Sequence, residues 1–133
     1  MTDEQFDLHS TFVHLGSEPT VSPLPDFAWT AEYLDSYEKR FAADGPRGRL
    51  VTLSPQDETW PSWERHPAGD ELVLLISGRI DVIQDLEGGE GLVELRPGEA
   101  LINPAGVWHT SDVHEPGEAL FITPGLGTEH RDR

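Results

Sequence analysis

From Gly48 onward the chain is cut into short runs by turns that contain glycine or proline. Pro67-Ala68-Gly69-Asp70, Glu87-Gly88-Gly89-Glu90-Gly91, Arg96-Pro97-Gly98, Pro104-Ala105-Gly106 and Glu115-Pro116-Gly117 read as turns between short elements. The runs they leave are rich in Val, Ile, Leu and Thr and read as strands: 49–54, 58–66, 71–77, 79–86, 92–95, 99–103, 107–113 and 118–123. Ser77-Gly78 reads as a tight turn joining two of them. In the third run Leu72, Val73, Leu74, Leu75 and Ile76 follow without a polar residue, which predicts a strand covered on both faces. Many short strands with such turns specify an all-β fold, an antiparallel sandwich or a closed barrel.

The first 47 residues differ in character. Residues 1–25 read as an arm, with a short strand at Phe12-Val13-His14-Leu15, and Pro19, Pro23 and Pro25 exclude a long regular element. Residues 30–43 form the one helix. Thr30 suits its N-cap, Glu32 its first turn, and Gly45-Pro46 its end. Tyr33, Tyr37 and Phe41 recur at i, i+4 and i+8 beside Leu34, and this stripe predicts packing residues. The organisation expected is one globular unit: arm and helix at 1–47, barrel at 48–124, and a loose tail at 125–133.

A chain of 133 residues with four Trp, five Phe and two Tyr can build one core. Its 25 acidic residues against 9 basic ones give a net charge of −16, which repels phosphate backbones and argues against nucleic-acid binding. No long apolar run suggests a membrane span, and the polar start Met1-Thr2-Asp3-Glu4-Gln5 is unlike a secretory signal, so a cytoplasmic location is expected. Without cysteine there is neither a disulfide framework nor a thiolate metal site.

Two stretches carry the chemistry: Glu64-x-His66-x4-Glu71-x6-Gly78 and Gly98-x5-Pro104-x-Gly106-x2-His109. Residues i and i+2 of a strand share a face, so Glu64 and His66 point together. Glu71 opens the following strand beside them, and His109 arrives from elsewhere in the fold. Two imidazoles with one or two carboxylates suit a first-row divalent ion, and two His with one carboxylate resembles non-haem iron ligation. With Glu64 included, the ligand charge of −2 favours Fe²⁺ or Mn²⁺, while Zn²⁺ is also compatible. Glu64 can alternatively serve as a general base beside the metal. Trp60 shares the parity of Glu64 and His66 and so lines a small-molecule pocket, provided that Pro61 does not reset the strand, whereas Trp63 and Trp108 point away. Asp70 reads as a turn residue, and His9, His14, His114 and His130 as surface histidines.

These motifs resemble those of the conserved-barrel cupins, small single-domain members of the cupin superfamily. Their first motif is roughly G-x5-H-x-H-x3–4-E-x6-G and their second roughly G-x5-P-x-G-x2-H-x3-N. His66, Glu71, Gly78, Gly98, Pro104, Gly106 and His109 match. Glu64 stands in place of the first histidine, Trp60 and not a glycine precedes it in the stretch where the motif opens, and Val113 replaces the asparagine. The resemblance implies a β-barrel or jelly roll with a metal near one mouth, and commonly a homodimer. The function expected is a metal-binding cupin acting on a small organic molecule, as an oxygenase or isomerase, or else a non-catalytic binding or sensing module.

Overall fold

The structure, a computed structural model, describes residues 5–133. Residues 1–4, which open the expected arm and its acidic start, lie outside the described residues. The strands are β1 (Phe12–Leu15), β2 (Val21–Leu24), β3 (Arg49–Gln56), β4 (Ser62–Arg65), β5 (Glu71–Leu86), β6 (Gly89–Leu95), β7 (Ala100–Asn103), β8 (His109–Thr123) and β9 (Glu129–Asp132). All pair antiparallel, in the order β2-β1-β3-β8-β4-β9, while β5 pairs with β6, β7 and β8. The result is a strongly curled sheet, an antiparallel barrel with an N-terminal arm and one short helix.

Two long strands, β5 and β8, hold the barrel together. They pair from Leu72↔Ile122 to Gln84↔His109, with register shifts around Leu75, Ser77 and Arg79. The expected turn at Ser77-Gly78 is instead a bend inside β5, and the expected break at Glu115-Pro116-Gly117 is a bend inside β8. The two irregularities face each other. Gly78 takes φ of 86° and its Cα lies against the Glu115 and Pro116 backbone. Extra residues placed opposite each other bend a ladder and let both strands turn a barrel corner without reversing.

Other boundaries shift for local reasons. The strand expected at 58–66 is shortened to β4, because Pro61 cannot donate to a ladder. The Glu87-Gly88 hairpin is tight, so β6 begins already at Gly89, paired with Leu86. Pro23 is accommodated in β2 at the sheet's edge. Residues 125–133 are not a loose tail: β9 pairs with β4 from Ser62↔Asp132 to Arg65↔Glu129.

The helix α1 (Ala31–Arg40) starts at Thr30, whose side-chain oxygen accepts from the Tyr33 amide at 3.1 Å. Beyond Phe41 the chain tightens into a 3-10 turn, Ala42–Arg47, interrupted by Gly45. Tyr33 and Tyr37 pack on Phe27, with ring centroids at 4.8 and 6.4 Å, and Phe27 also meets Phe12 and Trp29. This aromatic cluster fastens helix to arm.

Inside the barrel Val73, Leu75, Ile80, Val82, Leu95, Ala119 and Phe121 form the core, with Trp60, Leu101 and Val113 against it. The alternation is that of a strand buried on one face. Val73 and Leu75 are buried, but Leu72 and Ile76 are 40% and 44% exposed, contrary to the expectation of cover on both sides. Leu72 pairs with Ile102 on β7, itself 59% exposed, so the outer face of this sheet is apolar and open.

Candidate metal centre

Glu64, His66, Glu71 and His109 converge at one end of the barrel. Each offers a ligand atom, and these atoms lie within 4.8 Å of one another. His66 Nε2 is 3.2 Å from Glu64 Oε1 and 3.0 Å from Glu71 Oε2, and His109 Nε2 is 3.5 Å from Glu64 Oε1 and 3.4 Å from Glu71 Oε1. The topology that achieves this differs from the sequence expectation. β5 is not the neighbour of β4; β8 is. Glu64 pairs with His109 across the β4–β8 ladder, whereas Glu71 opens β5 opposite Asn103 of β7 and reaches the cluster across the barrel interior.

Each imidazole is oriented from behind. The Thr128 hydroxyl donates to the Gly125 carbonyl at 2.9 Å, so its oxygen accepts from His66 Nδ1–H at 2.8 Å. His109 Nδ1–H faces the Val107 carbonyl at 3.4 Å. Both rings are thereby held with Nε2 toward the carboxylates, and these two buried Nε2 atoms have no hydrogen-bond partner. A buried polar atom without a partner is costly. Two of them aimed at two carboxylates make the arrangement of a cation site, with the tautomers that ligation needs. The donor set therefore fits a divalent metal ion.

The two carboxylates are held unequally. Glu71 is 1% exposed and accepts from Asn103 Nδ2 at 3.0 Å and from Thr123 Oγ1 at 2.6 Å. Asn103 is in turn held by Gln84 Nε2 at 2.9 Å. Glu64 is more open, and its Oε2 meets His130 Nε2 at 3.1 Å. Burial pushes the Glu64 carboxyl up, but contact with His109 and His66 outweighs it and holds the group well below the usual carboxylate range. Burial likewise opposes charge on His66, yet Glu64 and Glu71 raise its pKa to about 9.

Glu64, His66 and Glu71 form part of the wall of a cavity of about 510 Å³, within the size range of small-molecule sites. Trp60 lines it, although Pro61 ends the strand before it; the Trp60 amide donates to the Ser111 carbonyl and its indole to Gln56. Trp60 lies 6.1 Å from His109 and 6.3 Å from Phe121, centroid to centroid, and so divides core from cavity. Trp63 and Trp108 lie outside it, stacked with Arg131 and with Arg65 and Arg131 respectively. Asp70 serves the turn, accepting from the Ala105 amide at 2.8 Å.

Two histidines read as surface residues stand at this cavity; His130 is exposed as expected, whereas His14 is buried. His130 enters because β9 places it opposite Glu64, a pairing that no spacing in the sequence reveals. His14 is 3% exposed, bonded to Tyr37 and Asp44 beside the cavity. His9 and His114 are surface groups on Asp7 and Glu118, and on Asp81.

Residues 49–123 match the model of a family described as a cupin domain. Among solved structures, similar ones include a cupin-2 domain containing protein from Shewanella frigidimarina NCIMB 400. It shows 21% identity over 57% of this chain and 70% of that chain, with a TM-score of 0.49. A cupin superfamily protein from Desulfitobacterium hafniense DCB-2 shows 23% identity over 56% and 65%, with a TM-score of 0.48. Hydroquinone 1,2-dioxygenase from Sphingomonas sp. TTNP3, with 4-hydroxybenzoate bound, shows 20% identity over 56% and 58%, with a TM-score of 0.48. Among curated proteins none matches the chain.

Proposed function

The chain belongs to the cupin domain family, and on that premise we propose that it is a metal-dependent enzyme, an oxygenase or isomerase, acting on a small organic molecule in the barrel cavity. The observation that carries this reading is the pair of buried, unpartnered Nε2 atoms of His66 and His109 facing Glu64 and Glu71. His66, Glu71 and His109 would hold the ion. Two carboxylates with two imidazoles favour Fe²⁺ or Mn²⁺, and Zn²⁺ is compatible with the same donors. When bound, the ion supplies Lewis acidity and open positions for small molecules.

The chain's own groups divide the remaining work. Glu71 is fixed by Asn103 and Thr123 and acts as a ligand only. Glu64 has the freer carboxylate, faces both the ion site and the cavity, and touches His130, whose ring is largely exposed. It serves as fourth ligand or as a general base, with His130 passing the proton outward. Trp60 and Phe121 keep bulk water from the inner wall.

The reading includes a homodimer, in which a second copy covers the apolar outer face at Leu72, Ile76 and Ile102. Sedimentation analysis tests it, and a monomer would remove it. No helix among the described residues is long and apolar enough to cross a membrane.

The deciding experiment is plasma mass spectrometry of tag-free protein prepared without chelator. About one equivalent of Fe or Mn per chain supports the reading. Protein that is metal-free and also refuses added Fe²⁺, Mn²⁺ and Zn²⁺ overturns it, and leaves a non-catalytic binding module.

A further inference from the structure

The cavity wall is not built by the matched segment alone. Trp29, Leu34, Tyr37 and Phe41 line it from the helix and the segment before it, and Leu126 from the turn before β9, all outside residues 49–123. This wall is fixed by a network around His14. The His14 ring stacks on Phe41 at 3.8 Å and 20°, and its nitrogens meet Tyr37 Oη at 2.6 Å and Asp44 Oδ2 at 2.7 Å. Asp44 is anchored in turn by the amide and hydroxyl of Ser17, at 3.1 and 2.8 Å. Tyr37 and Phe41 are thus held in position before any ligand arrives.

The charge of the lining is one-sided. Among the described residues no lysine or arginine lines the cavity, while Glu38, Glu64 and Glu71 do. Glu64 and Glu71 neutralise a divalent ion bound beside them, so an organic carboxylate or phosphate would lose water there without gaining net positive charge. The chain's net charge of −16 opposes its approach as well. A cationic ligand fares little better. Glu64 and Glu71 already face His66 and His109, Glu38 is exposed to water, and Phe41 is occupied by His14 and by the Arg40 guanidinium 4.7 Å from its centroid. What remains is aromatic surface from Trp29, Tyr37, Trp60 and Phe121, with the hydroxyls of Thr52 and Ser54.

We propose that the substrate of this site is an uncharged, largely apolar ring compound carrying a hydroxyl or carbonyl group, selected by the wall that the N-terminal arm and α1 add to the barrel. The proposal rests on the reading of the cavity as a small-molecule site and adds its substrate class. The ring lies against the arm's aromatics, and the polar group points toward the carboxylate–imidazole cluster.

Calorimetric titration with naphthol, naphthoate and naphthylmethylamine tests it, on metal-free protein and on protein loaded with Mn²⁺. Naphthol should bind at one site, about ten-fold or more tighter than either ion, in both preparations. Tyr37→Ala and Trp29→Ala should each weaken naphthol by about five-fold or more while metal content stays the same. Naphthoate or naphthylmethylamine binding as tightly as naphthol would overturn the proposal. So would naphthol affinity unchanged in both variants, or no naphthol binding up to its solubility. Failure of the metal reading shows separately: the protein takes up no metal, yet the preference for naphthol persists.

Discussion

Glu64 on β4 and His109 on β8 sit directly opposite each other in one antiparallel ladder, with Glu64 Oε1 3.5 Å from His109 Nε2. This rung joins the two sequence motifs. Removing either imidazole of the cluster leaves the barrel's apolar core intact, because Val73, Leu75, Ile80 and Val82 lie elsewhere in the interior. His66→Ala and His109→Ala are therefore expected to lose stoichiometric metal while keeping the far-ultraviolet circular dichroism of the parent. Plasma mass spectrometry measures the first and spectroscopy the second. Full metal occupancy in either variant would remove that histidine from the site.

The Thr128 hydroxyl orients His66 without facing the ion site itself, at 2.8 Å from Nδ1. Thr128→Val deletes this acceptor at almost constant volume. Metal affinity should fall by about 10- to 100-fold, as is usual when the group behind a ligand is lost. Competition with a fluorescent chelator gives the number, and an unchanged affinity would mean that Thr128 is merely packing.

The two carboxylates should not be equivalent. Glu71 is enclosed and accepts from Asn103 and Thr123, so Glu71→Gln weakens the metal and leaves at least one neighbour without a proper partner. Glu64→Gln changes a more open group and should weaken the metal less, by about ten-fold against about a hundred-fold for Glu71→Gln. An equal or reversed order in a metal titration would deny Glu64 its secondary role.

In metal-free protein His66 Nε2 faces Glu64 and Glu71, at 3.2 and 3.0 Å, and both carboxylates favour the protonated ring. Its pKa of about 9 in the folded chain lies above the ordinary 6.5. The stabilisation is fully present below pH 6.5 and is lost as pH rises through about 9. Glu64 acts in the opposite sense: its contribution is present above its ordinary 4.5 and is lost as the pH falls toward its depressed value. The unfolding temperature of the metal-free chain should therefore drop between pH 6.5 and 9, and His66→Asn should flatten that drop. Mn²⁺ binding near neutral pH should release about one proton, read by calorimetry in buffers of different ionisation enthalpy. A flat stability profile in the parent would contradict the shift.

The all-β class, the helix cap at Thr30 and the convergence of Glu64, His66, Glu71 and His109 were legible because strand parity and turn residues are local signals. What surrounds them was not. Thr128 and His130 reach the site through the pairing of β9 with β4, and Asn103 through that of β7 with β5. Such pairings depend on how the sheet closes, which no local pattern encodes. His14 was misread because its burial comes from α1 and the Asp44 turn, which are distant in sequence. The same limit produced two turns where the chain only bends. Glycine and proline announce a change of direction, but whether the strand reverses or bulges is decided by the strand lying opposite.

That facing pair of bends makes a final prediction. Gly78 and Gly98 both have positive φ, 86° and 88°, so alanine at either position carries backbone strain of about 1–3 kcal/mol. They differ in their surroundings. A Cβ at Gly98 meets nothing within 4 Å, whereas at Gly78 it runs into the carbonyl oxygen of Glu115 and the backbone of Pro116, 2.9 Å away. Backbone cannot swing aside as a side chain can, so β5 and β8 must separate at the corner where both bend. Gly78→Ala should then destabilise by about 2 kcal/mol or more beyond Gly98→Ala. Urea unfolding of the two variants measures the difference. Metal content serves as a second readout, because separation at this corner shifts β8, and with it His109, against β5 and Glu71. Equal losses of stability in the two variants would mean that the approach of the bends contributes nothing beyond the turn conformation itself.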